Sequence, residues 1–426
     1  MQRDKINFYV DNFRGFSKTV IALKDVNFLI GENSTGKTSI LALINLFCSP
    51  DFWFSQKFDI PNYEFGGFRD ILSINSKNKK FTIGFCQRIK HKKTKIEANH
   101  CFLFSYEERK GLPGLSSFIH MDREKLLLVR ILKNTYEFHK INVHPDWSQL
   151  EASNLFSFLL QTYEQELKNL KRPKLNSHKS HFSIFSIFDN PLTIFPFVPL
   201  NAVWFAPIRT QPKRTYDGYG GPFSPEGIHT PYLLRMIQSD RRKKKSCEVC
   251  KNIEKFGIDS GLFCRVSIKR FGKRNADAPF ELLVELASER SLRINSVGYG
   301  VSQVLPLVVE ILARRDKSWF SIQQPEVHLH PKAQASLGDL FFRVTEKDNK
   351  GFLIETHSDF IVDRFRLNCR QHSDHKIDAQ ILFFERTPIG NQISAIPILP
   401  NGEYPEDQPK AFREFFLQEQ INLLGV

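Results

Sequence analysis

Residues 31 to 38 read Gly31-Glu32-Asn33-Ser34-Thr35-Gly36-Lys37-Thr38. Two glycines at this spacing let successive backbone N–H groups turn inward around a phosphate chain, because no Cβ forbids the conformation. Lys37 places a cation on the terminal phosphates, and the Thr38 hydroxyl suits magnesium. The flanks agree. Val26 to Ile30 is a short apolar run fit for a buried strand, and Ile40, Leu41, Leu43, Ile44 and Phe47 recur at helical spacing. The loop therefore joins a strand to a helix whose N-terminus faces the anion. Gly31, Asn33, Ser34, Thr35, Gly36, Lys37, Thr38 and Ser39 are the expected contacts of ATP, with Mg2+ on Thr38.

Three segments far downstream refine this reading. Val297-Gly298-Tyr299-Gly300-Val301-Ser302-Gln303 is a glycine-rich turn that opens an apolar helix pattern, Val304, Leu305, Leu307, Val308, Ile311 and Leu312. It reads as a second anion site without a lysine of its own. Two such sites are hard to bring to one γ-phosphate within one chain, but two chains facing each other can do so. Trp319 to Pro331 is a short apolar strand ending in Gln323-Gln324-Pro325-Glu326, where a magnesium ligand and a general base would normally stand. Phe352-Leu353-Ile354-Glu355-Thr356-His357-Ser358-Asp359 is another apolar strand, ending in a histidine placed to sense the γ-phosphate. Strand-end placement matters because ligands of open α/β sheets bind at the carboxyl ends of strands.

In their order these segments, with Asn12-Phe13-Arg14-Gly15-Phe16 near the N-terminus, resemble the ABC-type ATPases of the RecF, OLD and SMC kind. Within that superfamily the chain is similar to the PtuA-type anti-phage ATPases of Septu and some retron systems. The points of likeness are its length, the Phe205-Ala206-Pro207-Ile208-Arg209 segment, the short tail and the Gln-Pro-Glu variant. The resemblance implies an α/β P-loop NTPase of ABC type, a mixed sheet flanked by helices with an antiparallel β lobe and a helical insert. It also implies an ATP-binding subunit that forms a homodimer or higher oligomer through its heads. Its partners would be an HNH nuclease of the PtuB kind and, in retrons, a reverse transcriptase with its reverse-transcribed DNA or RNA. Gly300, Ser302 and Gln303 of one copy would face the nucleotide of the other, and His357 would read the γ-phosphate. A RecF-like repair clamp that binds DNA directly is the alternative.

The chain departs from that pattern at the fourth strand, where the family carries two acids or an acid and a glutamine. Here both positions are amides, Gln323 at the metal position and Gln324 at the base position. An amide brings no charge to the ion and takes no proton from water at neutral pH. Hydrolysis is expected to be slow unless Glu326 reaches the water; a purely structural Glu326 is the other reading. The sequence is compatible with a natural Gln323 and with a Glu-to-Gln substitution there. Arg14 reads as a nucleotide contact or as a surface cation, and His328 and His330 read as loop or packing residues.

Composition sets the remaining bounds. The formal net charge of +14 favours a polyanionic partner, with a basic protein lacking one as the bland alternative. Basic runs at Arg88–Lys95, Lys168–Lys174, Arg209–Arg214 and Arg241–Lys245 read as a nucleic-acid surface or as solvated loops. Seven scattered cysteines suggest no disulfide framework and point to the cytoplasm; Cys247, Cys250 and Cys264 hint at zinc without a fourth ligand. No apolar stretch reaches membrane-spanning length. Forty phenylalanines read as core filling. The expected division is residues 1–110 as the loop-bearing part of an ATPase head, 111–197 as a mostly helical insert, 198–264 as a strand plus a basic, cysteine-containing insert, and 265–426 as the rest of the head. Asp146-Trp147-Ser148-Gln149 reads as a capping box opening a helix through Leu150, Phe156, Leu159, Leu160 and Tyr163. No acidic cluster suggests a nuclease within the chain.

Overall fold

A computed structural model describes residues 5–61, 63–74, 76, 78–90, 97–122, 124–132, 136–143, 152–169, 175–176, 202–218, 220–240, 244–272, 278–286 and 290–414. The chain forms two compact units. One comprises residues 1–24, 32–201 and 384–393, the other 25–31, 202–383 and 394–426.

Most of a six-stranded sheet lies in the second unit; residues 384–393 of its last two strands fall in the first. The strands of this sheet are β1 (Val26–Gly31), β2 (Ala202–Phe205), β3 (Trp319–Gln323), β4 (Gly351–Glu355), β5 (Ala379–Thr387) and β6 (Gly390–Ile398), in spatial order β2-β3-β4-β1-β5-β6. The first four run parallel, with Gln323 opposite Glu355 and Glu355 opposite Leu29. All residues of β1 and β4 are buried, as for strands covered on both faces. The one polar residue inside β1, Asn27, is answered by the Phe352 carbonyl and the Gln380 amide. The carboxyl ends of β1, β3 and β4 therefore share one edge of the sheet. Gly31, the last residue of β1, leads from that edge into the phosphate loop. Helices Tyr299–Ala313 (α2), Pro331–Asp348 (α3) and Asp359–Gln371 (α4) belong to the same unit; α2 and α3 follow the second glycine turn and β3, and α4 follows β4. Phe28, Phe341, Phe352 and Phe365 join Val308 and Ile322 in the core. A small antiparallel meander, Arg265–Arg270, Phe280–Glu285 and Ser291–Arg293, completes the described strands.

The first unit carries helix α1 (Lys37–Cys48) and an antiparallel eight-stranded sheet. Its aromatic core accounts for much of the phenylalanine excess. Phe47 of α1 lies 5.1 Å from Phe85, 5.4 Å from Phe52 and 5.8 Å from Phe8, ring centre to ring centre. Lys80–Lys90 and Glu97–Arg109 pair as a long hairpin, in which the opposed Cys86 and Cys101 are bonded.

The insert was expected to be mostly helical from residue 111; instead Leu112–Asp122, Lys125–Ile131 and Tyr136–Asn142 are strands. Their apolar residues close the core of the same sheet. Phe118, Met121, Leu126 and Val129 are buried, and Ser117 pairs with Arg130 across the turn. Helix begins only at Ala152, and Leu155, Phe156 and Leu159 of Ala152–Asn169 cover Tyr9 and Leu103. Residues 91–96 of the first basic run, the whole 146–149 capping box, 170–174 and 241–243 lie outside the described residues. Among those described, no helix is long and apolar enough to cross a membrane.

Candidate functional site

The phosphate loop is shaped by its own backbone. Gly36 caps α1 at φ +95°, and a Cβ there would lie 2.5 Å from the Phe16 ring. Only glycine meets both demands. Ser34 also takes the left-handed region, at φ +62°, and its carbonyl accepts from Arg386 at 2.7 Å. The Glu32 carbonyl accepts from the Thr35 hydroxyl at 2.8 Å and from the Lys37 ammonium at 2.6 Å, so the buried lysine is held within the loop. Helix α1 has no side-chain cap and no acid in its first turn, which leaves its N-terminal N–H groups suited to an anion. These groups fit a triphosphate, and Thr38 at the second helical position brings the hydroxyl expected for magnesium. Asn33 is exposed in the same loop. Ser39 lies beneath it, accepting from Arg14 at 3.1 Å.

Arg14 is neither a free surface cation nor an open contact. Its guanidinium donates to Ser39, to the Tyr63 hydroxyl at 2.5 Å and to the Phe65 carbonyl at 2.9 Å, and lies 5.6 Å from both ring centres. It braces the start of α1.

In the second unit, the edge formed by β3 and β4 gathers the amides and acids. Gln323 is buried, and its Nε2 donates to Glu355 Oε2 at 3.2 Å. Gln324 takes φ +40°, an uncommon conformation for a non-glycine residue, and its N–H donates to the Glu355 carbonyl at 2.8 Å. Glu326 accepts from Thr356 Oγ1 at 2.8 Å and from the His357 N–H at 2.7 Å, so both oxygens are engaged. Burial raises its carboxyl above the ordinary value, and the bonds from His357 and Thr356 oppose that rise. The His357 side chain is exposed. Ser358 caps α4, accepting from the Ile361 N–H and donating to Gln334 at 2.6 Å. His330 caps α3 through Nδ1, and the His328 ring packs edge-on against Tyr299 at 4.7 Å.

The second glycine turn differs from expectation. Helix α2 begins at Tyr299, so Gly300, Ser302 and Gln303 lie inside its first turns rather than ahead of it. A Cβ on Gly300 would meet the His328 carbonyl at 2.7 Å, so that glycine serves close packing. Ser302 donates back to the Tyr299 carbonyl at 2.7 Å. Gln303 was expected to face a second copy. Instead it is buried, accepting from the Arg209 N–H at 3.1 Å and donating to the Arg209 carbonyl at 3.3 Å. A side-chain amide can satisfy both main-chain groups of one residue only by lying alongside it, which turns it inward.

With this geometry in view, comparison with known proteins settles the family. The AAA ATPase domain family matches residues 5–246 and 234–362, most of the chain. The chain belongs to the AAA ATPase domain family. No curated protein matches it. Among solved structures, the Smc head domain with an extended coiled coil bound to the C-terminal domain of ScpA from Pyrococcus furiosus is 10% identical. That alignment covers 99% of this chain and 100% of the other, at a TM-score of 0.44. The SMC head domain from Thermotoga maritima is 11% identical over 92% and 99%, at 0.41. As an AAA ATPase domain, the chain is expected to use ATP, typically with Mg2+.

Two residues of this AAA ATPase domain stand out only in three dimensions. Glu355 is the buried acid beside Gln323; it was written in the strand-end segment, but its pairing depends on the register of β3 and β4. Arg209 was grouped with surface cations. It is 1% exposed, and burial lowers its pKa to about 10 against the opposing pull of Glu326. The apolar Phe205-Ala206-Pro207-Ile208 before it was the available signal. Cys247 and Cys250 sit one turn apart on helix Lys244–Ser260, and no group of three or more His, Cys, Asp or Glu able to hold a metal occurs among the described residues.

Proposed function

We propose that the chain is an ATP-binding, dimerising ABC-type subunit that uses ATP as a slowly hydrolysed clamp. In this reading it belongs to an anti-phage complex and controls a separate HNH nuclease of the PtuB kind. One observation carries the slow clamp: the phosphate loop is complete, while the strand edge offers Gln323 and Gln324 in place of acids and a Glu326 whose oxygens are both hydrogen-bonded. ATP contacts come from Gly31, Asn33, Ser34, Thr35, Gly36, Lys37, Thr38 and Ser39, with Mg2+ on Thr38 and the weaker amide of Gln323. His357, with its exposed side chain, reads the γ-phosphate. Gly300 and Ser302 lie at the second anion site offered to the other copy, and the inward amide of Gln303 holds that turn in place. The nuclease partner, and in a retron the reverse transcriptase with its DNA or RNA, rest on the resemblance to PtuA-type proteins.

Lys37→Ala should abolish binding of a fluorescent ATP analogue and nucleotide-dependent dimerisation. Unchanged affinity would remove the loop from the site. A RecF-like clamp is favoured by one observation, the net charge of +14. Capture from the native host separates the two: an HNH protein supports the first reading, recombination factors the second. Cleavage of DNA or RNA by the chain alone, surviving repurification, would overturn both.

A further inference from the structure

A half-open pocket of about 500 Å³, counting its mouth, lies in the second unit beside helix α2. Its walls include Pro212, Tyr216, Pro231, Tyr232, Leu305 and Pro306. Both tyrosine hydroxyls are spent on main chain: Tyr216 accepts from the Lys213 N–H at 3.0 Å, and Tyr232 donates to the Asp217 carbonyl at 2.9 Å. One polar atom of the lining is unanswered. Thr230 is 2% exposed, and its hydroxyl has no hydrogen-bond partner. Leaving a buried hydroxyl unpaired is unfavourable. Ser302 also lines the pocket, and Pro306 carries no N–H, so the Ser302 carbonyl loses the helical donor it would have had there. The frame holds the space open. Gly227 takes φ +84°, and a Cβ on it would lie 2.5 Å from Pro306 and 3.4 Å from Thr230 Oγ1. The loop around it is pinned: His229 Nδ1 accepts from the Ser224 N–H at 3.1 Å, which leaves Nε2 to donate to buried Glu310 at 3.1 Å. With three prolines in the wall and this loop fixed, the pocket is pre-formed rather than made by its occupant.

We propose that this pocket is the docking site for a tyrosine side chain in an acidic segment of a partner protein. Apolar walls around one buried hydroxyl select an amphipathic ring. A phenol answers both vacancies, accepting from Thr230 and donating to the Ser302 carbonyl, whereas an indole N–H can only donate. The pocket does not enclose its ligand. Ile228 in its wall is 52% exposed and Lys213 is exposed beside it, so the ring belongs to something larger that continues outside and covers that rim. Lys213 and the adjoining exposed Arg214 make acidic residues around the tyrosine the complement. Through Ser302, Leu305 and Pro306 the partner grips α2 itself. The inference stands apart from the ATP-clamp reading and needs no nucleotide.

The test uses the full chain without nucleotide and three fluorescein-labelled peptides of sequence Asp-Glu-Xaa-Glu-Asp, in which Xaa is tyrosine, phenylalanine or alanine, read by fluorescence anisotropy. The tyrosine peptide should bind about threefold to tenfold tighter than the phenylalanine peptide, the worth of one buried hydrogen bond, with the alanine peptide weakest. Thr230→Val keeps the shape and removes the hydroxyl. It should erase the preference for tyrosine over phenylalanine, while the thermal midpoint holds or rises because an unanswered group is gone. Lys213→Glu should weaken the tyrosine and phenylalanine peptides alike, and that loss should shrink as salt is added. No binding of the tyrosine peptide, equal binding of all three, a tyrosine preference that survives Thr230→Val, or a Thr230→Val chain that melts lower or fails to fold would each overturn the proposal. Binding of p-cresol without binding of the tyrosine peptide would assign the pocket to a free phenol and overturn it as well.

Discussion

In the phosphate loop the cation is answered on the spot. Lys37 donates to the Glu32 carbonyl five residues back, Gly36 supplies the only backbone that clears Phe16, and Arg14 closes the helix start from below. Along the carboxyl edge of β3 and β4 the partners come from far away in the chain. Gln323 bonds Glu355, Thr356 bonds Glu326, and Arg209 is held by Gln303, with two donors left over. The loop's own phosphate-binding groups are written within a few residues, although Arg14 and Arg386 brace it from 25 and 352 residues away. The strand edge is assembled from four separate stretches, and its charges are only partly answered. A locally built cradle and a partly satisfied network suit a protein that holds a ligand firmly and lets another segment respond.

Three changes would break or sharpen that contrast. The largest effect is expected at the strand edge. If the amide at the base position limits turnover, Gln324→Glu should raise ATP hydrolysis by about 10²–10⁴-fold in a phosphate-release assay. No increase would mean that geometry, not the missing base, sets the rate. The loop should respond next. Gly36→Ala forces a side chain into φ +95° against Phe16, costing about 1–3 kcal/mol and weakening ATP binding accordingly. Wild-type affinity in that variant would show that the cradle adapts. The smallest effect concerns proton binding at Glu326. Burial raises its carboxyl, so the folded chain holds that proton more tightly than the unfolded chain does. Its contribution to stability is present below the ordinary value of 4.5 and is lost as pH rises through the raised one. Wild type should therefore lose stability relative to Glu326→Gln over that interval, measured by denaturant titration at several pH values. A constant difference would deny the shift.

The same contrast explains what could be read in advance. Gly31 to Thr38 declares itself because its chemistry is local: glycine positions, a lysine and a hydroxyl at fixed spacing between an apolar strand and an apolar helix. The β3 and β4 segments were also legible, as apolar runs that end in polar residues. The inward turn of Gln303 was not, because a glutamine after a glycine turn looks alike whether it faces solvent or a main-chain partner 94 residues away. Arg209 misled for a related reason: arginine is a surface residue by habit, and only the packing around it says otherwise. Residues 112–142 were expected to be mostly helical, and no apolar–polar alternation announces the strand Lys125–Ile131: Leu126, Leu127, Leu128 and Val129 are all buried, Leu126 and Leu128 among them in the core with Ala152–Asn169.

The division of the chain has a consequence for biosynthesis. Strand β1 leaves the ribosome early, yet its neighbour β4 pairs with it across 325 residues, as the Asn27–Phe352 bond records. At ordinary elongation rates the wait is on the order of tens of seconds. Through that interval an apolar strand meant for the middle of a sheet has neither flank, so the nascent protein is expected to depend on holding chaperones more than its finished stability would suggest.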